Sequence, residues 1–297
     1  MKQNEFQKVD KEMRYYDLNN GTQIPIMGFG VWQIDDQQLC ESTVEHVLKL
    51  GCLLIDTATV YGNEAAVGAA IKKSGVKRED LFITSKLWVQ DMGYERTKSA
   101  IDRVLIRMGL EYLDMYLIHH PFGDYIGSWR AMEEACEEGK IKAIGVSNFS
   151  VNQLQKLMAT AKIMPVINQV EFHPLFQQKD LRAFMKEHDI RLEAWSPLAS
   201  GHENLLTDPA IKEIADKYEK TAGQIILRWH VQEESIAIPK SVNPDRILSN
   251  FSLWDFELTT DDMNVLKSLD TNKPVLGYNP DEPGEWRNFI MKIVVES

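Results

Sequence analysis

Residues 141–172, IKAIGVSNFSVNQLQKLMATAKIMPVINQVEF, hold the pattern that decides the fold. Two apolar runs, IKAIGVS at 141–147 and PVINQVEF at 165–172, flank a segment in which Leu154 and Leu157 recur at helical spacing. A nearly continuous apolar run of this length is typical of a strand that is buried on both faces of a parallel sheet. The stretch therefore predicts a strand–helix–strand unit with parallel strands.

The same alternation extends in both directions along the chain. Helical spacing recurs at 41–50 and 211–218, and Asp-Pro at 208–209 is a helix-start signal. The other apolar runs are LLIDTA (53–58), LFITSK (81–86), YLDMYLIH (112–119), IRLEAWSP (190–197) and SIAIPKS (235–241). These make seven strands, and we expect a weak eighth strand near 248–251. Strands and helices in this number predict an α/β fold of the (β/α)8 TIM-barrel type.

The two ends of the chain differ from this repeating pattern. Asn20-Gly21, between short apolar runs, predicts a β-hairpin that caps the bottom of the barrel. No linker rich in Gly, Pro or Ser divides the sequence, so residues 1–297 are predicted to form a single domain. Within it, we expect a polar N-terminal extension at 1–14 and a loop-like, polar C-terminal tail at 272–297.

Composition and charge exclude several classes of protein. The chain of 297 residues has a net charge of -11, whereas nucleic acids and anionic membranes need a positive surface, so we expect neither as a partner. No apolar run reaches the roughly 18 residues of a membrane helix, and the first 17 residues are too polar for a secretory signal. Cys40, Cys52 and Cys136 are widely spaced and odd in number, which indicates reduced packing residues in a cytoplasmic protein.

Polar side chains stand where the predicted strands end, which is where barrel enzymes place their active residues. Asp56 and Lys86 end two successive strands, and an ionisable residue in such a place is costly unless it is paired. The pair is either structural or catalytic. Tyr61 follows Asp56 closely, and an ammonium beside a phenol lowers its pKa, so Tyr61 is a candidate proton donor.

Two adjacent histidines, His119 and His120, end the next strand before Pro121. His119 is either a hydrogen-bonded core histidine or a catalytic group. A metal site made by both side chains is disfavoured, because successive residues of a strand point to opposite faces and the side chains should diverge. We therefore predict no metal.

Seven short motifs run through these strand ends. In chain order they are DTATVYGNE (56–64), TSKLW (84–88), LIHHP (117–121), GVSNF (145–149), NQVE (168–171), SPL (196–198) and IPKS (238–241). Together, over about residues 18–274, they resemble the aldo-keto reductases. They are most similar to the short-looped microbial branch, which includes 2,5-diketo-D-gluconate reductases and glyoxal or methylglyoxal reductases. The resemblance implies NADPH-dependent reduction of aldehydes and ketones by hydride transfer.

The resemblance also implies a role for each member of a catalytic tetrad. Tyr61 would protonate the carbonyl oxygen, Lys86 would lower the pKa of Tyr61, and Asp56 would keep Lys86 charged and oriented. His119 would orient the carbonyl group by a hydrogen bond. All four residues are present in this sequence.

For the cofactor, the resemblance implies two groups of residues. The nicotinamide amide would be held by Ser147, Asn148 and Gln169, and its ring would stack on Trp195; Ser196 and Leu198 would also contact the cofactor. The adenosine 2′-phosphate and the adenine would be held by Lys240, Ser241, Arg246 and Asn250. Taken alone, Lys240 and Arg246 could equally be solvated surface charges, but a guanidinium and an ammonium suit a dianionic phosphate.

The sequence departs from the family pattern at three positions. Trp195 replaces a common Tyr that stacks on the nicotinamide, and Ser249 replaces a common Glu beside the adenine. His120 replaces a common Trp of the substrate pocket, which we expect to favour small polar or dicarbonyl substrates. Trp32 and Trp88 match pocket aromatics of the family, although Trp88 could equally be a core residue.

Two rival functions stay open. One is a catalytically silent barrel that acts as a nicotinamide-binding regulatory protein. The other is a metal-dependent hydrolase that uses His119, His120 and His173. The expected partner is a small carbonyl compound, and the expected assembly is a monomer or a weak homo-oligomer.

Overall fold

A two-stranded antiparallel hairpin closes one end of the molecule, in a computed structural model that describes residues 14–202, 204–275, 281 and 284–294. Its strands are β1 (Tyr15–Asp17) and β2 (Gln23–Pro25). The turn between them places Gly21 at φ 81°, a conformation that glycine adopts without strain. Asn19 and Asn20 donate side-chain hydrogen bonds to the carbonyl oxygens of Pro165 and Lys142, just before or at the start of two barrel strands. The predicted hairpin cap is confirmed.

Eight parallel strands form the centre of the molecule. They are β3 (Phe29–Gly30), β4 (Leu54–Asp56), β5 (Phe82–Leu87), β6 (Leu113–Ile118), β7 (Ile141–Ser147), β8 (Ile167–Glu171), β9 (Arg191–Trp195) and β10 (Ile236–Ala237). Each strand pairs with the next one along the chain. A bridge from Met27 to Ala237 joins the last strand to the first. The sheet is thereby closed, and the predicted (β/α)8 barrel is confirmed.

Helices fill the connections between the strands, and the last three helices follow β10. The helices are α1 (Gln37–Leu50), α2 (Glu64–Ser74), α3 (Tyr94–Met108), α4 (Tyr125–Glu137), α5 (Val151–Met158), α6 (Lys179–Glu187), α7 (Pro209–Tyr218), α8 (Ala222–Gln232), α9 (Pro244–Phe251), α10 (Thr260–Ser268) and α11 (Gly284–Lys292). The predicted start of α7 is confirmed, since the Asp208 side chain accepts a hydrogen bond from the backbone N–H of Ala210 at 2.9 Å. Across the part of the chain that the structure describes, no helix is both long and apolar enough to cross a lipid bilayer.

Two sequence-based expectations about the fold are wrong. The weak eighth strand is β3, not the stretch 248–251, which lies in α9. Asn243 caps that helix and Pro244 begins it, and Ile247 and Phe251 are buried one turn apart. The two-residue strand β3 is too short to produce a sequence pattern. The tail after residue 272 is also not loop throughout, because the nine-residue helix α11 lies within it.

The apolar side chains form two layers around the sheet. A large cluster lies between the sheet and the surrounding helices, and a smaller one fills the inside of the barrel. Leu18 and Ile24 of the hairpin pack into the inner cluster beside Leu54, Phe82 and Met115. The lower part of the barrel is therefore an apolar floor, and the polar residues at the opposite ends of the strands lie above it.

Candidate active site

The carboxyl ends of the barrel strands bring the predicted catalytic residues together. Asp56 is the last residue of β4, Lys86 lies near the end of β5, and His119 follows β6 directly. Tyr61 lies in a short 3-10 turn after β4, which ends at Gly62 with φ 67°. Neighbouring parallel strands end at the same rim, so the four residues converge although up to 63 positions separate them.

A buried ion pair is the centre of this arrangement. The Lys86 Nζ atom lies 2.5 Å from Asp56 Oδ1, and the two side chains are 0% and 2% exposed. The same ammonium donates to the Thr57 carbonyl oxygen at 2.9 Å and to the Tyr61 hydroxyl oxygen at 3.4 Å. The expected contact between Asp56 and Lys86 is confirmed. It extends to Tyr61, as a proton donor controlled by Lys86 requires.

The electrostatics of the site differ in one respect from the expectation. Burial raises the pKa of Tyr61 more than the Lys86 ammonium lowers it, so the net direction is upward in the protein alone. The expected net lowering was therefore wrong, because the sequence indicated the charge of Lys86 but not the depth at which the phenol lies. Burial lowers the pKa of Lys86, but Asp56 and Tyr61 raise it by more, which keeps the ammonium charged.

His119 and His120 are arranged differently from the expectation. Their rings stack, with centroids 4.9 Å apart and an angle of 7° between the ring planes. The expected divergence was wrong because β6 ends at Ile118, so the alternation of a strand no longer applies. Burial, His120 and Lys86 hold the pKa of His119 well below its usual range, which makes its ring neutral. Its Nδ1 atom is buried and has no hydrogen-bond partner among the described residues.

Aromatic and tail residues cover this histidine pair. Trp88 contacts His119 and His120 edge-on, with ring centroids 5.2 and 5.7 Å away, and Phe122 stacks on His120. The Trp88 indole N–H donates to the Ile293 carbonyl oxygen at 2.9 Å, just after α11. Trp88 and His120 thus lie beside His119, whereas Trp32 lies in the loop after β3 and is 46% exposed.

The contribution of α11 was missed from the sequence. Ile290 packs with Trp88 and Phe122 in a small buried cluster, and Ile293 contacts its edge. Trp286, Phe289, Ile290 and Ile293 are spaced at three, four and seven residues, which is the helical signal that could have revealed this element.

The residues expected to hold the nicotinamide form one connected set on β7, β8 and β9. Ser147 Oγ donates to the Gln169 carbonyl oxygen at 3.0 Å, and the Asn148 amide donates to Ser147 Oγ and to the His119 carbonyl oxygen. The Trp195 indole N–H donates to Asn148 Oδ1 at 2.9 Å, so the ring is held in place while remaining half-buried. Ser196 and Leu198 follow in the next turn.

Gln169 also points into the barrel, and there it meets a residue that was missed from the sequence. Its amide nitrogen lies 2.9 Å from Asp56 Oδ2 and 3.0 Å from Glu193 Oε2. Glu193 is fully buried in β9. The argument that singled out Asp56, an ionisable residue within an apolar run, applies equally to Glu193 in IRLEAWSP and would have found it.

The residues expected to hold the 2′-phosphate lie at the start of α9. Lys240 and Arg246 are exposed, and neither side chain forms an ion pair with any residue that the structure describes. Two free cations beside a helix N-terminus suit a phosphate dianion. Ser241 and Asn250 are buried nearby. Together with the half-buried face of Trp195, these residues fit the cofactor that the sequence predicted, and they would hold it from both ends.

The histidines of the metal-hydrolase hypothesis do not come together. His173 is buried and bonded to Glu171, with its Nε2 atom 3.0 Å from Glu171 Oε1. Within residues 14–202, 204–275, 281 and 284–294, no group of three or more His, Cys, Asp or Glu side chains is arranged to hold a metal ion.

Comparison with known proteins gives the class to which this site belongs. The model of the aldo/keto reductase family matches residues 26–271. The chain is 47% identical to the glyoxal reductase of Bacillus subtilis over 89% of this chain and 95% of that protein. It is 43% identical to the methylglyoxal reductase DkgA of Escherichia coli, over 90% and 97%. A Bombyx mori aldo-keto reductase solved in complex with NADP has a TM-score of 0.85 and 33% identity, over 92% and 99%.

The chain belongs to the aldo/keto reductase family. The prediction from the seven motifs is confirmed: this is an NADP-dependent oxidoreductase that acts on carbonyl groups.

Proposed function

We propose that this enzyme reduces small, polar dicarbonyl compounds such as glyoxal and methylglyoxal, with Tyr61 as the proton donor. The observation that carries the proposal is the position of the Tyr61 hydroxyl, 3.4 Å from a fully buried ammonium and beside a neutral histidine. The names of the relatives from Bacillus subtilis and Escherichia coli support the substrate class.

In the proposed reaction, bound NADPH supplies a hydride to the carbonyl carbon. Tyr61 donates its phenolic proton to the carbonyl oxygen, and the charged Lys86 stabilises the phenolate that results. Asp56, in direct contact with Lys86, keeps that ammonium charged and oriented within the buried site. The raised pKa of Tyr61 in the protein alone means that the phenol is fully protonated before the reaction.

His119 has the role of orienting the substrate. Because its ring is neutral, one ring nitrogen carries a proton and can donate to a carbonyl oxygen without adding a second positive charge beside Lys86. Its ring contacts the Tyr61 ring edge-on, with centroids 5.7 Å apart, so the two donor side chains lie next to each other.

In this proposal, residues at the strand ends would hold the cofactor. Ser147, Asn148 and Gln169 would hold the carboxamide group, and Trp195, Ser196 and Leu198 would contact the nicotinamide end. At the other end, Lys240, Ser241 and Arg246 would hold the 2′-phosphate, and Asn250 would contact the adenine. The two free cations at the start of α9 support a preference for NADPH over NADH.

The substrate pocket supports a small, polar substrate. His120 is smaller and more polar than an indole and borders the catalytic histidine. The Ile290 and Ile293 side chains pack against the cluster that contains Trp88 and limit the space beside Trp88. Trp32, on the opposite loop, would contact longer substrates. The proposal also places the enzyme in the cytoplasm, as a monomer or a weak homo-oligomer without nucleic acid.

The test is a panel of carbonyl compounds with the purified chain, followed by the loss of NADPH absorbance. We expect kcat/KM for glyoxal and methylglyoxal to exceed that for a bulky apolar ketone by at least about 10-fold, the scale of pocket discrimination. Equal or inverted efficiencies would refute the substrate class. No NADPH oxidation with any carbonyl would instead favour the silent, nicotinamide-binding alternative.

A further inference from the structure

Glu193 has no place in the catalytic roles above, yet it lies at the centre of the barrel. It is 0% exposed, and one of its oxygens, Oε2, accepts from the Gln169 amide at 3.0 Å. The other oxygen, Oε1, is buried without a hydrogen-bond partner among the described residues. An ionised carboxylate with a bare oxygen in such a place is costly, whereas a carboxylic acid leaves no uncompensated charge.

Gln169 connects Glu193 to the catalytic ion pair. An amide group has two hydrogens, and the Gln169 nitrogen points one at Asp56 Oδ2, 2.9 Å away, and the other at Glu193. Asp56 and Glu193 thus share one neutral donor, while a single cation, Lys86, is in contact with Asp56. Two buried carboxyl groups that share one cation do not both ionise readily.

The two carboxyl groups are not equivalent. Asp56 has a charged partner and accepts from two different residues, whereas Glu193 has only the amide of Gln169. The charged groups that act on Glu193 are Asp56, from β4, and Lys86, from β5. The more poorly solvated carboxyl is the one that keeps its proton.

We propose that Asp56 and Glu193, joined through the Gln169 amide, act as one unit in which Glu193 holds the proton and Asp56 holds the charge that faces Lys86. Glu193 is thus a positioning residue. It takes one amide hydrogen of Gln169, so that the side-chain oxygen of Gln169, Oε1, is the atom left to accept a hydrogen bond from a carboxamide. The role of this cluster in turnover rests on the proposed function, but the protonation state of Glu193 does not.

The unit responds to alkaline pH. Burial, followed by the neighbouring Asp56, raises the pKa of Glu193 to about 8. Above that value the proton of Glu193 passes to solvent, and the buried cluster gains a negative charge that acts on Tyr61. That charge raises the pKa of Tyr61, so the phenol stays protonated to higher pH in the wild-type enzyme.

The first experiment uses the chain without cofactor and without turnover. Infrared spectra are recorded between about pH 6 and about pH 10, a window that brackets the titration of a buried carboxyl. We expect a carboxylic-acid C=O band in the wild type at the low end that disappears at the high end, and we expect Glu193→Gln to lack it. Asp56→Asn removes the neighbouring charge that helps Glu193 to keep its proton, so in that variant the band should disappear at a lower pH than in the wild type. A wild type without this band at low pH overturns the proposal, whatever its activity.

The second experiment measures the alkaline limb of kcat/KM for methylglyoxal. Glu193→Gln keeps an acceptor for Gln169 but cannot ionise. Tyr61 should therefore lose its proton at a lower pH, and the alkaline limb should shift to lower pH by about 1 unit. The matched control is Glu133→Gln. Glu133 is also buried, but it accepts from the backbone N–H groups of Lys162 and Ile163, and its replacement should leave the limb in place. Coincident limbs for wild type and Glu193→Gln overturn the proposal.

Discussion

Two buried aspartates at opposite ends of the barrel have different surroundings. At the bottom, Asp114 near the start of β6 accepts from the Ile83 N–H at 3.0 Å and contacts both Arg78 and Lys142. These cations reach solvent, with side chains 21% and 44% exposed. At the top, Asp56 has one cation that does not reach solvent at all.

The difference shows that the electrostatically unfavourable ion pair lies at the top of the barrel. The ion pairs at the bottom are partly hydrated, and such pairs contribute little on their own. The pair at the top is fully desolvated, which makes it costly to form and damaging to break. It lies beside Tyr61 and beside His119, whose buried Nδ1 atom has no hydrogen-bond partner among the described residues. The electrostatic cost is therefore located at the candidate active site.

The largest effect is expected from removing the top cation. Lys86→Met leaves Asp56 buried without its partner, so the free energy of unfolding should fall by about 3–5 kcal/mol. Turnover should fall by more than about 10²-fold, since the phenolate of Tyr61 loses its stabilising charge. The matched change at the bottom, Lys142→Met, should cost less than about 1 kcal/mol and leave turnover intact. Denaturant unfolding measures the loss of stability, and NADPH oxidation measures the loss of turnover. Equal losses in Lys86→Met and Lys142→Met would contradict the difference between the two ends of the barrel.

The next effect separates chemistry from stability at the top of the barrel. Tyr61→Phe removes the proton donor and keeps the ring, so turnover should fall by at least about 10²-fold. NADPH affinity, measured by fluorescence titration, should hardly change. Tyr116→Phe removes a phenol buried in β6, and it should change stability by about 1 kcal/mol and leave turnover alone. If Tyr61→Phe kept half of the wild-type turnover, Tyr61 would not be the proton donor.

A third change tests the free cations at the start of α9. Arg246→Ala should weaken NADPH binding by roughly 10- to 150-fold, because a charge-assisted contact contributes about 1.5–3 kcal/mol. NADH affinity should stay nearly constant. As the control, Arg191→Ala removes a cation at the bottom, where its Nε atom lies 3.3 Å from the Asp17 carbonyl oxygen. Equal weakening of both dinucleotides would show that Arg246 does not contact the 2′-phosphate.

The smallest effect concerns the substrate. His120→Trp should narrow the space beside Trp88 and shift preference from methylglyoxal toward a flat aromatic aldehyde. The change in the ratio of the two kcat/KM values corresponds to about 1–3 kcal/mol, the usual range for pocket contacts. NADPH affinity serves as the internal control and should not change. An unchanged ratio would mean that His120 does not line the substrate space.

Much of the site could be predicted because strand ends can be located in a sequence. Asp56 and Lys86 end apolar runs, and parallel strands end at one rim, so their contact followed from local pattern alone. The short strand β3 could not be recognised in the same way, and neither could the part that the helix α11 has in the site. One is too short to show a period, and the other contributes through contacts with Trp88 that only the folded chain makes.

The amino-acid sequence by itself determined the barrel, its hairpin cap, the family and the identity of the candidate catalytic residues. Each of these depends on residue type and spacing. The tertiary structure alone decided the depth of Tyr61, the stacking of His119 on His120 and the shared amide between Asp56 and Glu193. These properties depend on burial and on distances between side chains from different strands. The net direction of a pKa shift, which desolvation and a nearby charge set together, therefore becomes known only from the folded structure.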